Sequence, residues 1–206
     1  EAHGILWVYQ ITSPKRPQAP QLGLGGFGKT SEIRTAATPN GCIIRNEGIR
    51  PEKAEGRARL IRRIKAYIGT VNLAVRDDSG KLLNALEAKV ASGPCTYEAT
   101  DEAGNIHRVW IVTDGTEISK FTELMAAEPA AYVADGNHRS AAAASLGYEE
   151  FLTVFFPTKR LGLEPYNRLL PANGLTRDQF FAKLGESFHI EHLGKVPPYR
   201  PAAVNT

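Results

Sequence analysis

The amino-acid sequence predicts an α+β fold, or an irregular α/β fold, and three observations carry this prediction. Short apolar runs and longer amphipathic runs follow each other without the regular strand–helix rhythm of a parallel sheet. The segment 101–105, Asp-Glu-Ala-Gly-Asn, lies between two β-rich runs and indicates an antiparallel hairpin. The 206 residues, 42% hydrophobic and 23% charged, are enough for a buried core. We therefore expect a single domain over 1–206, with a tail at 196–206.

In the first half of the chain, alternating apolar residues predict the strands, and prolines and glycines separate them. Pro51 suits the first position of a helix, and the apolar stripe after it extends that helix over 52–67. The glycine-rich segment 23–30 is interpreted as a turn in a hairpin, and 82–91 fits a strand or a helix equally well. Strands are predicted at 5–11, 31–35 and 71–75, and 42–44 is a short apolar run.

In the second half, turn residues again divide β-rich runs from helical patterns. Gly147 suits the position just after a helix, where a left-handed conformation is common. Strands are predicted at 97–100, 107–112, 131–134 and 152–156, and helices at 117–126, 139–146 and 176–185.

The segment 135–140, Asp-Gly-Asn-His-Arg-Ser, is the first candidate site. It follows an apolar strand and leads into an alanine-rich helix, so free backbone N–H groups are expected at the helix start. A guanidinium and an imidazole lie beside those groups. Such a helix start attracts phosphate.

The glycine-rich segment 23–30 is the second candidate, because it matches the spacing of a P-loop and also that of G-x-G-x-x-G. A P-loop needs a strand directly before it and a long helix directly after it. Pro14, Pro17 and Pro20 interrupt the approach, and Pro39 and Gly41 exclude a long helix afterwards. A P-loop is therefore the less favoured alternative.

Two arginine-containing regions are further candidates. Glu47 and Arg50 lie just before the predicted helix, where an acidic group and a cation suit a phosphate and metal site. The arginines within the helix are interpreted mainly as a solvated face. The turns in 155–168, which end at Arg168, are explained equally well as part of a binding site and as ordinary surface loops.

Composition excludes several classes. The net charge of +3 is too small to indicate a nucleic-acid-binding surface, and no apolar run reaches the roughly 18 residues of a membrane span. Cys42 and Cys95 indicate neither a disulfide scaffold nor a zinc cluster. We expect a cytoplasmic protein. The first residue is not Met, which we take to indicate a fragment of a longer protein.

These motifs together resemble a known family. The turn 135–139 before the alanine helix resembles the Asp-Gly-His-His-Arg motif of domain-of-unknown-function family 1015. Further blocks are similar in the same order, and the resemblance covers about residues 7–184. These similar blocks are Tyr9-Gln10, Arg45-Asn46-Glu47-Gly48 with Arg57, 100–104 with 107–110, and 163–169.

The resemblance implies a relation to the ParB and sulfiredoxin superfamily, and hence a mixed sheet with flanking helices and an added hairpin. That superfamily includes CTP-hydrolysing partition proteins, an ATP-dependent sulfinic acid reductase and a free-serine kinase. Asn46, Asn137 and Asn167 stand where the family usually has His. An amide still binds ligands, but it cannot serve as an acid or base.

The resemblance and the residues together predict a nucleotide-dependent phosphotransferase that acts on a small hydroxylated metabolite such as free serine. The expected cofactors are ATP or ADP, or another nucleoside triphosphate, with Mg²⁺ on Asp135. Asp135, His138 and Glu47 are the predicted catalytic residues. The predicted nucleotide-binding residues are Gly136, Asn137, His138, Arg139, Ser140, Arg50 and Arg168.

Two alternatives stay open. One is a nucleotide-dependent switch or adaptor, like the partition proteins, although a helix-turn-helix pattern for DNA is missing from the sequence. The other is a P-loop NTPase centred on Lys29. We also expect a nucleotide and a small-molecule substrate as partners, neither membrane nor nucleic acid, and a homodimer as one option.

Overall fold

The structure is a computed structural model that describes residues 4–162 and 170–192. The chain divides into two compact units, Glu1–Leu161 and Gly162–Thr206. Arg168 and the tail predicted at 196–206 lie outside the described residues.

The first unit is built on one mixed sheet of eight strands, in the order β3-β7-β4-β8-β2-β1-β6-β5. The pairs β3/β7 and β4/β8 are parallel, and the other neighbours are antiparallel. The prediction of an α+β fold is thereby confirmed. The strands are β1 (Leu6–Thr12), β2 (Gln21–Lys29), β3 (Ile43–Ile44), β4 (Val71–Val75), β5 (Tyr97–Thr100), β6 (Ile106–Val112), β7 (Ala131–Asp135) and β8 (Glu150–Pro157).

Four α-helices belong to this unit: α1 (Pro51–Ile64), α2 (Lys81–Ala91), α3 (Gly115–Ala126) and α4 (Asn137–Ser145). Helix α1 begins at Pro51 as predicted, whereas it ends earlier, at a left-handed Lys65. The ambiguous segment 82–91 is helical. Its start is held by the buried carboxylate of Asp77, which accepts the N–H groups of Leu82 and Leu83 at 3.1 and 2.9 Å.

The glycine-rich segment forms most of strand β2, and this corrects the interpretation of 23–30 as a turn. An added Cβ at Gly25 would lie 1.9 Å from the indole of Trp7, so packing of β1 against β2 requires glycine there. A short 3-10 helix, Thr30–Glu32, follows Lys29 instead of a long α-helix. The structure does not have the geometry of a P-loop, because 21–29 form an extended strand, paired with β1 over 21–25 and with β8 over 24–29, and not a loop that wraps around a phosphate.

The strand predicted at 31–35 is also wrong. Only Ile33 pairs there, in an isolated bridge with Ile43. By contrast, the predicted hairpin is present, with β5 and β6 joined across the turn that Asp101 and Asn105 close.

Apolar side chains of the sheet pack against α2 and α3 to form the main core. Leu82, Leu86 and Phe121 supply the helical side of this core and are at most 1% exposed. A smaller cluster joins α1 to α4 through Ala58, Ile61 and Ala142. Because these side chains are mostly small, the two helices lie close together, and their N-termini reach the same end of the sheet.

The second unit contains α5 (Arg177–Gly185) within its described part. Thr176 and Gln179 form a capping box at its start. Phe181 contacts Phe180, His192 and the Arg177 guanidinium, the last at 5.5 Å from the ring centre. The predicted helix at 176–185 is thus confirmed.

Candidate functional site

The candidate site lies where β7 ends and α4 begins. Strand β7 pairs in parallel with β3, so the segment after β3 leaves the sheet beside the turn after β7. The start of β4 is the other neighbour, and Asn72 pairs with Asp135. Three chain segments that are distant in sequence therefore meet at this edge.

Gly136 makes the sharp turn from strand to helix. Its φ of +101° lies in the region that favours glycine, and it is the N-cap residue of α4. An added Cβ would lie 3.0 Å from Nε and Nη2 of Arg139 and 3.1 Å from Cα of Val71. The absence of a side chain at this position thus lets the Arg139 guanidinium lie against the backbone.

Arg139 is fixed by an ion pair one helical turn away. Its Nη2 donates to Oδ2 of Asp135 at 2.6 Å, and the two side chains are 24% and 69% exposed. The pair orients the guanidinium at the helix start. One carboxylate oxygen of Asp135 has no hydrogen bond to any described residue.

His138 links the starts of α1 and α4. The backbone N–H of Arg50, the N-cap residue of α1, donates to Nε2 of His138 at 3.1 Å. Because Nε2 accepts, the proton of the neutral ring lies on Nδ1. His138 therefore has one nitrogen engaged in holding two helix starts together and one N–H free to donate.

Asn137 is buried, at 3% exposed, and contacts the loop after β3. Its amide nitrogen donates to Oδ1 of Asn46 in a short hydrogen bond and approaches Oε1 of Glu47 at 3.4 Å. Asn46 and Asn137, two of the three positions where the resemblance leads us to expect His, are thus partners of each other. Glu47 is positioned beside them and is otherwise exposed.

Unsatisfied polar atoms are concentrated at this end of the sheet. Among the described residues, only three buried side-chain nitrogen or oxygen atoms have no hydrogen-bond partner: Nε of Arg45, Oδ1 of Asn137 and Nε of Arg139. Burial lowers the pKa of Arg45, which lies directly after β3. Leaving such an atom unpaired costs about 1–3 kcal/mol, so each calls for a partner that a ligand can supply.

An open cleft of about 500 Å³ lies at Asn137 and Arg139. It is large enough for a nucleotide-sized ligand. Among the described residues, the N–H groups of Asn137 and His138 find no backbone acceptor, since the first bonds of α4 come from Arg139 and Ser140 to Gly136. The lining residues are Glu47, Lys53, Gly56, Arg57, Leu60, Asp135, Gly136, Asn137, His138 and Arg139.

Six of the predicted site residues line the cleft: Glu47, Asp135, Gly136, Asn137, His138 and Arg139. For Ser140 and Arg50 the structure indicates a different role. Ser140 is fully buried and donates to the carbonyl of Asn137, so it is part of the helix interior. Arg50 is exposed and contributes its backbone N–H. Lys53 and Arg57 were not predicted as binding residues. Their spacing of four residues on α1, just after Glu47 and Arg50, is the signal that indicates a shared helix face.

The residues available for a metal ion are few. Nowhere in residues 4–162 and 170–192 do three or more His, Cys, Asp or Glu side chains group in a way that could hold one. Asp135 and Glu47 both line the cleft and supply carboxylate oxygens. This donor set fits Mg²⁺ brought in by phosphates, because Mg²⁺ is usually bound by one or two carboxylates together with substrate phosphates.

A second polar cluster lies on the hairpin side of the sheet. The Tyr9 hydroxyl lies 2.6 Å from Nδ1 of His107, and Nε2 of His107 lies 3.2 Å from Asp101. Hydrogen bonds from Asn105, with those from His107 and Ala103, lower the pKa of Asp101 to about 2, and burial raises the pKa of Tyr9. These bonds tie the hairpin turn to β1.

Within the described part of the chain, no helix combines the length and the apolar character that crossing a membrane requires. Cys42 and Cys95 are both free thiols.

Comparison with known proteins gives one match. No curated protein and no solved structure is significantly similar to the chain. The model of the DUF1015 family, described as a protein of unknown function, matches residues 1–205. The resemblance first carried by the turn at 135–139 is therefore confirmed at the level of the family. The chain belongs to the DUF1015 family.

Proposed function

We propose that the chain binds a nucleotide through its phosphates at the start of α4 and transfers a phosphoryl group to a small hydroxylated molecule such as free serine. The observation that carries the proposal is that two cleft residues, Asn137 and Arg139, have buried polar atoms without a hydrogen-bond partner, and a third such atom lies on Arg45, directly after β3. Two of these atoms are N–H donors, which suit an anion.

The charges around the cleft support a phosphate ligand. Lys53, Arg57 and Arg139 bring three cations, against the carboxylates of Glu47 and Asp135. Among the described residues, neither Lys53 nor Arg57 forms a salt bridge. The free N–H groups at the helix start add a favourable dipole for an anion.

The transfer step needs a base and charge neutralisation. The acceptor hydroxyl oxygen attacks the terminal phosphorus, the bond from phosphorus to the bridging oxygen breaks, and the nucleoside diphosphate leaves. The hydroxyl proton passes to the Glu47 carboxylate, which lines the cleft and is free of any ion pair among the described residues. Arg139 and the Nδ1–H of His138 donate to the phosphoryl oxygens as charge develops.

Mg²⁺ is the proposed cofactor. When bound, it neutralises charge on the nucleotide phosphates. Asp135 would hold it through the carboxylate oxygen that does not accept from Arg139. We further propose that the fold is ParB/sulfiredoxin-like. The support is the glycine turn between β7 and α4, which resembles the turn that binds nucleotide phosphates in that superfamily. A cytoplasmic location is part of the proposal, supported by the two free thiols.

A second candidate is a nucleotide-dependent switch without turnover, and one observation favours it. Asn46 and Asn137 bond to each other at the centre of the site, and neither amide can transfer a proton. On this alternative, the protein binds nucleotide and changes its contacts with a partner.

The first test measures binding with two substitutions. Arg139→Ala removes a charged donor worth about 1.5–3 kcal/mol, so we expect ATP to bind roughly ten- to a hundredfold more weakly. Lys29→Ala, at the exposed end of β2, is the control and should bind as the wild type does. Equal loss in both variants would contradict the site. Titration calorimetry with ATP and Mg²⁺ gives both affinities.

The second test separates the kinase from the switch. ATP consumption is followed with a panel of hydroxylated metabolites that includes serine. Product formation that Glu47→Gln abolishes, with ATP affinity retained, supports phosphotransfer. A folded protein that binds ATP and consumes none with any acceptor leaves the switch as the function.

A further inference from the structure

The polar cleft continues into an apolar recess. Ten residues line the recess, and three of them, Arg57, Leu60 and Arg139, also line the cleft. The two spaces therefore share a wall formed by α1 and the start of α4. A ligand whose anionic part lies in the cleft can extend directly across this wall.

The walls of the recess are almost wholly apolar. The lining includes Tyr67 and Ile68, from the loop between α1 and β4, and Leu152 of β8. Ile68 is 51% exposed, so an apolar surface faces solvent directly beside a cluster of cations. Exposed apolar surface that borders a charged cleft is typical of a ligand site.

The recess is narrow. It encloses about 10 Å³, which is room for about one water molecule. A ring cannot enter it in depth, but a flat ring can lie over its mouth, against Ile68 and Leu60 and beside Arg57. Guanidinium planes and aliphatic side chains stack on the face of a nucleobase.

The recess also lacks groups that distinguish one base from another. The Tyr67 hydroxyl is already engaged, because it donates to the carbonyl of Glu150 at 2.5 Å. The other side chains that line the recess are apolar, apart from the two arginines, which are donors only. All four bases carry acceptors that such donors can meet. Strong discrimination needs buried polar groups matched to one base edge.

We infer that the recess is the base-contacting part of the site, and that it holds the base of a nucleoside triphosphate by apolar contact and stacking with little selection between bases. This inference rests on the proposed function. It predicts tighter binding of a nucleotide than of inorganic tripolyphosphate, and similar affinities for ATP, GTP, CTP and UTP.

The experiment compares two isoleucines that differ in position and not in chemistry. Ile68→Ser removes apolar surface at the recess, and Ile64→Ser removes it from an α1 side chain that is 40% exposed and lines neither space. Affinities for the four nucleotides and for tripolyphosphate are measured by calorimetry with Mg²⁺. Thermal unfolding checks that both variants fold.

We expect Ile68→Ser to weaken nucleotide binding about three- to tenfold, with tripolyphosphate binding unchanged, and Ile64→Ser to leave both unchanged. The four nucleotides should bind within about fivefold of one another. The inference is overturned if tripolyphosphate binds the wild type as tightly as ATP, if Ile68→Ser has no effect, or if one nucleotide is preferred a hundredfold. Failure of both tripolyphosphate and nucleotides to bind contradicts the proposed function itself.

Discussion

Gly136 is the position where the backbone and the proposed ligand site depend on each other most directly. Substituting Gly136→Ala places a Cβ 3.0 Å from two nitrogens of the Arg139 guanidinium and 3.1 Å from Cα of Val71. The guanidinium can move away, but the backbone of β4 cannot move without disturbing its pairing with β8. The substitution should therefore displace Arg139 from its position at the helix start.

The expected cost follows from two contributions. A non-glycine residue in a left-handed conformation costs about 1–2 kcal/mol, and φ is +101° here. Contacts near 3.0 Å add to this, so we expect the free energy of unfolding to fall by about 2–3 kcal/mol. Displacing Arg139 removes a charged donor worth about 1.5–3 kcal/mol, so ATP affinity should fall at least about tenfold.

Gly147→Ala is the matched control. Gly147 lies at the other end of α4, its φ is +72°, and an added Cβ meets no atom within 4 Å. It should cost about 1–2 kcal/mol of stability and leave ATP affinity unchanged. Urea unfolding and calorimetry measure the two quantities. The reasoning is refuted if folded Gly136→Ala binds ATP as tightly as the wild type, or if Gly147→Ala loses equal affinity.

Two further predictions concern stability. Asp77→Ala leaves two N–H groups at the start of α2 without their carboxylate, so it should lower the free energy of unfolding by about 1–3 kcal/mol in a urea titration. The control is Asp78→Ala, which breaks an exposed ion pair with Arg76 and should change the free energy of unfolding by less than about 0.5 kcal/mol. Because the pKa of Asp101 is lowered from 3.8 to about 2, its stabilisation is present above pH 3.8 and is lost as pH falls through about 2. Asp101→Asn should thus unfold at a lower temperature than wild type at pH 7, with a difference that shrinks below pH 3.8, and a difference independent of pH would contradict this account.

Local chemistry explains which parts of the fold could be predicted from the sequence. The turn at Gly136 and the hairpin at Asp101 are set by residues within a few positions, so both were predictable. The segment 23–30 was misinterpreted because its glycines serve a long-range contact. Gly25 is required by the indole of Trp7 on the neighbouring strand, and nothing near Gly25 in sequence reveals that indole.

In the candidate site, too, features set by neighbouring residues could be predicted, and features set by tertiary packing could not. Asp135, His138 and Arg139 share one turn, so their proximity could be predicted. That Lys53 and Arg57 face them depends on how α1 packs against α4, through side chains such as Ala58 that are small enough for close approach. Helix packing of this kind arises from tertiary structure. Arg57 is exposed, as the interpretation of the α1 arginines as a solvated face expects, and the packing also places it at the cleft.

Among the described residues, the buried side-chain polar atoms without a hydrogen-bond partner lie at one end of the sheet. Among described side chains of the main core, buried polar groups such as Thr153 and Asp77 have partners, and the exceptions lie on Arg45, Asn137 and Arg139. A protein of ordinary stability, about 5–15 kcal/mol, keeps three such atoms only where a partner compensates for them. Two of these residues, Asn137 and Arg139, line the cleft together with the cations Lys53 and Arg57, so an anionic ligand is the partner that we propose for the Arg139 guanidinium. The amide oxygen of Asn137 is an acceptor and calls for a donor, which a phosphate alone does not bring. A hydroxyl group on the ligand would supply that donor, which agrees with the proposal of a nucleotide and a hydroxylated acceptor.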